Sequence, residues 1–364
     1  MTSNKLAIVQ VISQARFSGA EHVCLNLSAE LQRRGHRVLL LCKSVGGFPE
    51  EARKRGLEVR TPSLSGKLNL AAPLAIGSIA RRFGADLIHS HLSSAALWGS
   101  LAGRLFGIPA IGHIHALNTF FYYRFSHFNL TCSDGVRRAM LAQGADPART
   151  RVVYNGIAPE RLQGLTPTQP LLGELGIDAD ARIIACVAHL TARKGQIHLL
   201  RAIARLRDDW PRLHCLLIGV GNLRDMLLEQ ARQLGIAERV HFLGFRGDAV
   251  SLMNCAEVVV LPSVAKEGLG LALIEAALLG KPTIGSDAPG IDEVIDDGTT
   301  GLLVPPADDA ALADALRRLL GDAALRQRLG EAGRVRAAAR FTVAAMTDAC
   351  EAAYADVLQR HRRA

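Results

Sequence analysis

The chain has 364 residues, of which 49% are hydrophobic and 21% are charged. This length and composition allow two ordinary domains with a sizeable core and exclude an intrinsically disordered chain. The formal net charge of +9 is uneven, because residues 1–165 hold 20 Lys and Arg against 9 Asp and Glu, whereas the remainder holds 23 against 25. A basic first half favours an anionic partner, such as nucleic acid or the cytosolic face of a membrane, unless its arginines are simply solvated.

Hydropathy and cysteine usage limit the class of protein further. No apolar run approaches the roughly 18 residues of a membrane-spanning helix, and the short stretch 6–12 fits a first strand better than a signal peptide. The seven cysteines are scattered, odd in number and without a CxxC pair. This pattern argues against a disulfide framework or a structural zinc site, so we expect a cytoplasmic protein.

In the first half, short β-branched or apolar runs alternate with amphipathic stretches of helical length, such as 20–34 and 95–106. This alternation predicts a parallel sheet with helices on both faces. Its strands are expected at residues 6–12, 36–42, 86–91, 109–115, 130–133 and 151–154.

A stretch that contains Pro and Gly, residues 159–173, interrupts the periodicity, and we expect a linker there. The alternation then restarts, and from Ala307 onward the chain is expected to be helical. The break favours an α/β protein of two doubly wound, Rossmann-like domains over a single eight-fold barrel. The strands of the second half are expected at residues 182–188, 214–219, 239–244, 257–261, 282–285 and 301–304.

These patterns predict a first domain at residues 1–165, a second at 166–340, and a C-terminal helix at 341–364 that crosses back to the first domain. Open parallel sheets bind ligands at the carboxyl ends of their strands. Two such sheets that face each other would form a cleft, and its closure would exclude water.

The run 266–277, with the sequence KEGLGLALIEAA, places a glycine-bearing loop ahead of a predicted helix. Gly268 and Gly270 would permit close approach to a ligand and unusual backbone dihedrals, and the helix N-terminus suits a phosphate. Lys194 lies in another strand-to-helix loop, so a Lys and a helix N-terminus together would hold a diphosphate as a leaving group. Glu275 is expected to bind sugar hydroxyls, as acidic residues bind ribose in dinucleotide sites.

Glu267 and Glu275 also raise the alternative of a glycosidase acid/base pair. On a continuous helix eight residues span about 12 Å, whereas the carboxyls of glycosidases lie roughly 5–9.5 Å apart, so this alternative is disfavoured. A surface helix with two solvated glutamates would leave the Gly-x-Gly loop unexplained.

Four histidines fall at the ends of two predicted strands, His89 and His91 on one and His113 and His115 on the other. Alternation places each pair on one face of the sheet, so a metal cluster is conceivable. No acidic or Cys ligand stands at a helpful spacing, and we predict no metal site. Hydrogen-bonded core histidines are the alternative.

Two weaker signals lie in the second half. Gly219-Val220-Gly221 lacks the third glycine of a dinucleotide loop and is interpreted as a tight turn near the nucleotide. Phe245, which follows Leu243 and Gly244, either flanks the nucleotide base or belongs to the core.

Several motifs together carry a resemblance to a known family. The second half resembles glycosyltransferase family 4 in the order and spacing of its motifs. These motifs are Glu267 and Glu275 separated by seven residues, then Gly280-Lys281-Pro282, Asp296-Asp297-Gly298 and the run 301–305. In the first half, the run 18–21 resembles the family's N-terminal glycine loop. The run 35–38 resembles the family's residues at the start of the second strand. Asn155-Gly156-Ile157 falls where the order of the family's motifs expects it. The resemblance spans roughly residues 6–340.

The resemblance implies the two-Rossmann type B fold and a transferase that uses a nucleotide-diphosphate sugar with retention at the anomeric carbon. It implies no metal, no other cofactor and no assigned protein nucleophile. It places Lys194 on the diphosphate, Glu267 on the donor sugar, Glu275 on the ribose, Gly19 near the donor phosphates and His115 at the transferred sugar. The residues expected to bind the donor are Gly19, His189, Arg193, Lys194, Gly244, Phe245, Glu267, Gly268, Leu269, Gly270, Leu271 and Glu275.

One departure from the family pattern concerns the diphosphate clamp. His189 stands where the family usually has an Arg, which offers a permanent forked charge. Either His189 still donates a hydrogen bond, or the neighbouring Arg193 takes over the contact.

The segment 120–128 holds six of the chain's 17 aromatic residues. An aromatic and basic lip on the first domain suits a lipid-linked acceptor or an anionic membrane surface, to which the basic runs 53–55 and 81–82 would add attraction. A core helix is the alternative for this segment. We therefore expect a peripheral enzyme of cell-envelope polysaccharide, lipopolysaccharide or glycolipid assembly with a glycan or lipid-linked acceptor and no nucleic acid. A sugar-nucleotide epimerase of the same architecture and a non-catalytic nucleotide-binding module remain as alternatives.

Overall fold

The structure is a computed structural model and describes residues 5–13, 19–63 and 69–363. The chain divides into two compact units, of which the first comprises residues 1–157 and 340–364 and the second comprises residues 158–339. The first division therefore falls at Ile157 rather than near residue 165. The last helix of the chain belongs to the first unit.

Within the described residues, the first unit contains a seven-stranded parallel sheet with the strand order β3-β2-β1-β4-β5-β6-β7. The central strands are buried along their whole length, which explains their continuous apolar runs. The strands are β1 (Ala7–Ile12), β2 (Arg37–Leu41), β3 (Glu58–Arg60), β4 (Leu87–His91), β5 (Ala110–Ile114), β6 (Phe128–Thr131) and β7 (Thr150–Val152).

Helices pack against this sheet and bury the apolar side of each amphipathic pattern. They are α1 (Gly19–Arg33), α2 (Phe48–Lys54), α3 (Ala72–Phe83), α4 (Ser93–Phe106), α5 (Asp134–Leu141) and the final helix α13 (Val343–Arg363).

Charged contacts near the start of β2 hold α13 in the first unit. Arg34 donates hydrogen bonds to Asp348 at 2.5 Å and Glu351 at 2.6 Å, and His36 Nε2 lies 2.7 Å from Glu351 Oε1. The backbone N–H of Ile157 donates to the carbonyl of Phe341 at 2.8 Å, so the two crossings of the chain between units lie side by side.

The second unit repeats the same topology with a six-stranded sheet of order β10-β9-β8-β11-β12-β13 in the described chain. Its strands are β8 (Arg182–Val187), β9 (Leu213–Ile218), β10 (Val240–Gly244), β11 (Val258–Leu261), β12 (Thr283–Ser286) and β13 (Leu302–Val304). Its helices are α6 (Thr168–Glu174), α7 (Gln196–Leu206), α8 (Arg224–Gln233), α9 (Ala249–Cys255), α10 (Leu271–Leu278), α11 (Asp309–Gly321) and α12 (Ala323–Arg340).

Two details differ from the sequence expectation. The short strand β3 was not expected, because Val59 is its one apolar residue and gives no apolar run. The linker expected at 159–173 is instead partly ordered structure, with a 3-10 helix at Pro159–Leu162 followed by α6. Leu171 and Leu172 of α6 are buried in the core of the second unit, so an apolar pair outweighs the Pro and Gly signals.

In both units the strand order reverses beside the first strand of the sheet, between β1 and β4 and between β8 and β11. Crevices for ligands form at such switch points, outside the carboxyl ends of the strands. Among the helices that the structure describes, none has both the length and the apolar composition needed to span a bilayer.

Candidate active site

Glu267 is the centre of a polar cluster at the switch point of the second unit. It follows β11, and its buried carboxylate accepts hydrogen bonds from Lys194 Nζ at 2.8 Å and from Arg193 Nη1 at 3.0 Å. The hydroxyl of Ser263 donates to the same carboxylate at 2.6 Å. Two cations and one carboxylate leave a net charge of about +1, which suits an anionic ligand.

The loop after β8 carries both cations and is locked against the loop after β11. Residues Ala192–Lys194 form one turn of 3-10 helix, and Gly195 then takes a left-handed φ of +68° and caps the N-terminus of α7. A Cβ atom at Gly195 would lie 1.9 Å from the carbonyl oxygen of Pro262. Val264 N–H also donates to the carbonyl of Arg193 at 2.9 Å, so close backbone approach fixes where Lys194 points.

A third loop supports Glu267 from the other side. Glu267 N–H donates to the carbonyl of Pro289 at 2.9 Å, and Gly270 N–H donates to that of Gly290 at 3.2 Å. Gly290 has a φ of +88°, and a Cβ atom there would meet the carbonyl of Glu267 at 2.6 Å. The left-handed glycines of the site are therefore Gly195 and Gly290. Neither Gly268 nor Gly270 has a positive φ, and Gly270 departs from helical and extended geometry at φ −74° and ψ 71°.

The glycine-bearing run leads directly into α10. Gly270 caps this helix and Leu271 begins it, so the positive end of the helix dipole lies at the Glu267 loop. The N–H groups of Leu271 and Leu273 donate to the carbonyls of Leu269 and Gly270 at 2.9 and 3.0 Å. Glu267 lies in the loop ahead of the helix, as expected, so the continuous-helix spacing used to weigh the glycosidase alternative does not apply to Glu267 and Glu275. Leu269 is buried, and Gly268 and Leu271 are half-buried.

Glu275 is buried on α10, and Arg161 pairs with it through a hydrogen bond from Nε to Oε1. Burial raises the pKa of Glu275, and the neighbouring Arg161 guanidinium opposes this rise. Arg161 is a residue that the sequence did not single out. It lies in the segment expected to be a linker, and no spacing rule connects two residues so far apart in the chain.

The remaining residues expected at the donor lie on neighbouring loops. His189 is exposed after β8, and its carbonyl accepts hydrogen bonds from Gln196 Nε2 and from Thr191 N–H, both at 3.0 Å. Gly219 and Gly221 permit close packing, because a Cβ atom at either would lie 2.1 Å from a carbonyl of the His189 loop. Phe245, after Gly244 at a φ of +67°, is 79% exposed, so the core alternative for this ring is wrong.

In the first unit, Gly19 is the first residue of α1, which follows β1 at the switch point. The neighbouring Ser18 of the same motif lies outside the described residues. The N-terminus of this 15-residue helix offers a partial positive charge at the carboxyl edge of the sheet.

His115, after β5, belongs to a buried ladder of four histidines. His115 Nε2 lies 2.9 Å from His91 Nδ1, whose other nitrogen lies 2.8 Å from Gln10 Oε1. His89 Nε2 lies 3.3 Å from His113 Nδ1, and His89 Nδ1 lies 2.7 Å from the Tyr354 hydroxyl.

Burial lowers the pKa of His115 to about 4, although a hydrogen bond to Asn155 opposes this shift, and it holds the pKa of His89, His91 and His113 well below 6.5. The sequence predicted no metal site, yet His89, His91 and His113 offer ring nitrogens that lie within 4.8 Å of one another. The rings of His89 and His91 stack, with centroids 4.5 Å apart and planes 24° apart, and ring nitrogens of His89 and His91 are engaged with the Tyr354 hydroxyl and Gln10 Oε1. The arrangement fits neutral histidines that are hydrogen-bonded across two strands.

Gly195→Ala tests the locked loop. We expect it to lower the free energy of unfolding by at least about 2 kcal/mol, because a left-handed Ala is strained and its Cβ would displace the Pro262 carbonyl. Gly176→Ala is the matched control, since Gly176 has a φ of +66° with open space around it. Urea unfolding compares the two variants, and equal losses would contradict a role for close packing at Gly195.

Comparison with known proteins identifies the family of the chain. Residues 17–161 match the family model described as Glycosyltransferase Family 4, and residues 169–336 match Glycosyl transferases group 1. The chain is 31% identical over 317 residues to the D-inositol 3-phosphate glycosyltransferase of Stackebrandtia nassauensis. This alignment covers 76% of this chain and 69% of that protein. It is 33% identical over 195 residues to the lipopolysaccharide core biosynthesis glycosyltransferase LpsD of Rhizobium meliloti, about half of each chain.

The fold is also that of solved glycosyltransferase-like structures. The crystal structure of Anabaena Alr3699/HepE in complex with UDP superposes with a TM-score of 0.85 at 23% identity and covers 96% of this chain and all of that one. The two doubly wound sheets predicted from the sequence are thereby confirmed as the two Rossmann-like domains of the type B fold. The chain belongs to the group 1 glycosyltransferases of family 4 and is a nucleotide-sugar-dependent enzyme that transfers a sugar with retention of anomeric configuration.

Proposed function

We propose that the Glu267 cluster binds the diphosphate and sugar of the donor. Lys194 and the N-terminus of α10 take the two phosphoryl groups, and Glu267 holds Lys194 in place and accepts hydrogen bonds from sugar hydroxyls. Arg193 supplies the second cation. The observation that carries this proposal is the position of Lys194, 2.8 Å from the buried Glu267 carboxylate at a topological switch point.

In this proposal the second unit drives departure of the nucleotide. The bond between the anomeric carbon and the phosphate oxygen breaks, the acceptor oxygen forms a bond to that carbon on the same face, and negative charge develops on the diphosphate. A fixed ammonium and the positive end of the α10 dipole stabilise that charge without reorganisation at the moment of reaction. His115, being neutral, would act as a hydrogen-bonding group toward the transferred sugar. No protein base is assigned, and the leaving phosphate oxygen is proposed to take the acceptor proton.

We place the acceptor on the first unit, where a cavity of about 620 Å³ opens beyond the ends of β4 and β5. Hydroxyl and amide side chains dominate its lining, and no charged side chain of the described residues takes part, so it suits an uncharged, hydroxyl-rich group such as a sugar of a growing glycan. The lining residues are Ser93, Leu117, Asn118, Thr119, Tyr122 and Gln143.

The pathway proposed is cell-envelope polysaccharide, lipopolysaccharide or glycolipid assembly. The lipopolysaccharide core relative described above and the chain's basic first half support this proposal. The acceptor is then a glycan or a lipid-linked glycan, and nucleic acid is not a partner.

The decisive experiment measures nucleotide release and product formation with UDP-, GDP- and ADP-sugars, with and without glycan and lipid-linked acceptors. Acceptor-dependent release from one donor supports the proposal. Conversion of the donor without any acceptor would indicate the epimerase alternative, and nucleotide binding without turnover would indicate a binding module. Full activity in a metal chelator is expected, because we propose that the reaction needs no metal or other cofactor.

We also propose a peripheral contact with anionic membrane on the cytoplasmic side, made by the first unit. The aromatic segment exposes fewer aromatic rings than expected, because Tyr123 and Phe128 are buried. Phe121, in contrast, is 51% exposed. The Arg124 guanidinium lies 5.5 Å from the Phe121 ring centroid, and Arg104 donates to the carbonyl of Phe125 at 2.9 Å. The segment is therefore not the core helix considered as its alternative.

Of the two basic runs, the second is the better candidate for this contact. Arg81 and Arg82 are exposed at the end of α3. Glu50 and Glu51 pair with Arg53 and Arg55 and offset part of the charge of the first run.

Flotation with anionic vesicles tests this contact. The protein is expected to float with the vesicles at low salt and to be released at high salt, because the attraction is screened. Combining Phe121→Ser with Arg124→Gln should weaken binding, whereas Arg224→Gln on the second unit should not. Absence of binding at low salt would contradict the proposal.

A further inference from the structure

The ion pair between Arg161 and Glu275 joins two distant parts of the second unit. Glu275 is buried on α10, whereas Arg161 lies in the 3-10 helix Pro159–Leu162, a few residues after the chain enters this unit. Leu162, next to Arg161, packs against the core of the second unit, and Arg161 N–H donates to the carbonyl of Ala158 at 3.1 Å. The guanidinium is therefore held by an anchored backbone.

A buried carboxylate stays ionised only when a counter-charge or several hydrogen bonds stabilise it. Among the described residues, Arg161 is the charged group that lowers the pKa of Glu275, and no hydrogen bond is found to Oε2 of Glu275. Burial raises the pKa of Glu275, and Arg161 lowers it. Without Arg161, the carboxyl would gain a proton more readily and would change from an acceptor into a donor at one oxygen.

We propose that Arg161 is a positioning residue of the nucleotide site, which fixes Oε1 of Glu275 and leaves Oε2 to accept hydrogen bonds from ribose hydroxyls. This inference rests on the proposed donor site and deepens it. Ribose hydroxyls are weak donors, and they bind an oriented carboxylate anion more strongly than a neutral carboxyl group. The segment that carries the chain into the second unit thereby supports recognition of the ribose.

Arg161 acts through Glu275, so its loss should affect ribose recognition and not phosphate recognition. A purely structural role would weaken the binding of all nucleotides alike. A competing role, in which Arg161 occupies the ribose position, would make binding tighter when Arg161 is removed.

Calorimetry with UDP, GDP and ADP, and with the 2′-deoxy form of whichever binds, separates these cases. The wild type is expected to prefer the ribonucleotide. Arg161→Gln should weaken its binding by about tenfold, the value of one charge-assisted hydrogen bond, and should abolish the preference over the deoxy form. Arg161→Lys should restore part of the preference for the ribonucleotide. Arg205→Gln, which removes a more exposed ion pair with Asp309, should change the affinity for neither the ribonucleotide nor its 2′-deoxy form.

The pH dependence provides a second measurement. The folded pKa of Glu275 should rise in Arg161→Gln, so its affinity for the ribonucleotide should fall more steeply from pH 8 to pH 6 than that of the wild type. Equal or tighter ribonucleotide binding by Arg161→Gln, or an equal loss for both nucleotide forms, would overturn the inference. If the wild type binds no nucleoside diphosphate at all, the donor site itself is wrong, and the ribose role falls with it.

Discussion

Lys194→Ala is expected to lower kcat by about 10²–10³-fold, the typical effect of removing one preorganised group that stabilises a leaving anion. Lys194 Nζ is fixed by the buried Glu267, so its charge needs no reorganisation as the diphosphate departs. The effect should fall mainly on kcat, because the negative charge on the leaving group grows in the transition state.

His189→Ala is expected to have a much smaller effect than Lys194→Ala. The His189 ring is exposed, and no hydrogen bond of its side chain is found among the described residues. Lys266→Ala is the control, because Lys266 is exposed on the Glu267 loop and its ammonium lies outside the cluster. Steady-state kinetics and melting temperatures of the three variants provide the comparison. Equal losses for Lys194→Ala and His189→Ala would show that His189 is a main clamp of the diphosphate.

Acid is expected to unfold the first unit at a pH well above the range in which ordinary carboxylates become protonated. His89, His91, His113 and His115 are buried, and burial lowers the pKa of each in the folded state. In the unfolded chain they titrate near their ordinary value of about 6.5. As the pH falls below that value, the unfolded chain binds protons that the folded chain does not, so the free energy of unfolding decreases.

The size of this effect follows from the same linkage. Each histidine contributes about 1.4 kcal/mol per pH unit below the unfolded pKa. Because burial shifts the pKa of all four histidines in the same direction, their contributions add, and the loss becomes a large part of the roughly 5–15 kcal/mol that stabilises a typical domain. For His115 the loss ends near its folded pKa of about 4.

Denaturant unfolding at pH 7, 6 and 5 measures this loss. His113→Gln keeps a polar side chain but removes one titrating group, so it should reduce the slope of stability against pH by about one proton. A stability that stays constant from pH 7 to pH 5 would mean that the histidines are charged or solvated in the folded state.

The sequence by itself determined the strands other than β3 to within two residues at their ends, and it placed helices such as α1 and α4 nearly as closely. Apolar periodicity is a local property, and both halves express it without conflict, as in β8 (Arg182–Val187) and β11 (Val258–Leu261). The sequence also placed Lys194 and Glu267 in loops at the ends of those two strands. Local signals failed where a strand has no apolar run, as in β3, or where Pro and Gly masked an apolar pair, as in α6 (Thr168–Glu174).

Only the tertiary structure decided which side chains meet. Strand order brings the β8 and β11 loops together, so Lys194, Ser263 and Glu267 share hydrogen bonds that no spacing predicts. Packing then pairs Arg161 with Glu275 across 114 positions of the sequence. Such contacts depend on sheet order, register and burial, which are properties of the whole chain, whereas periodicity reports only which face of each element is apolar.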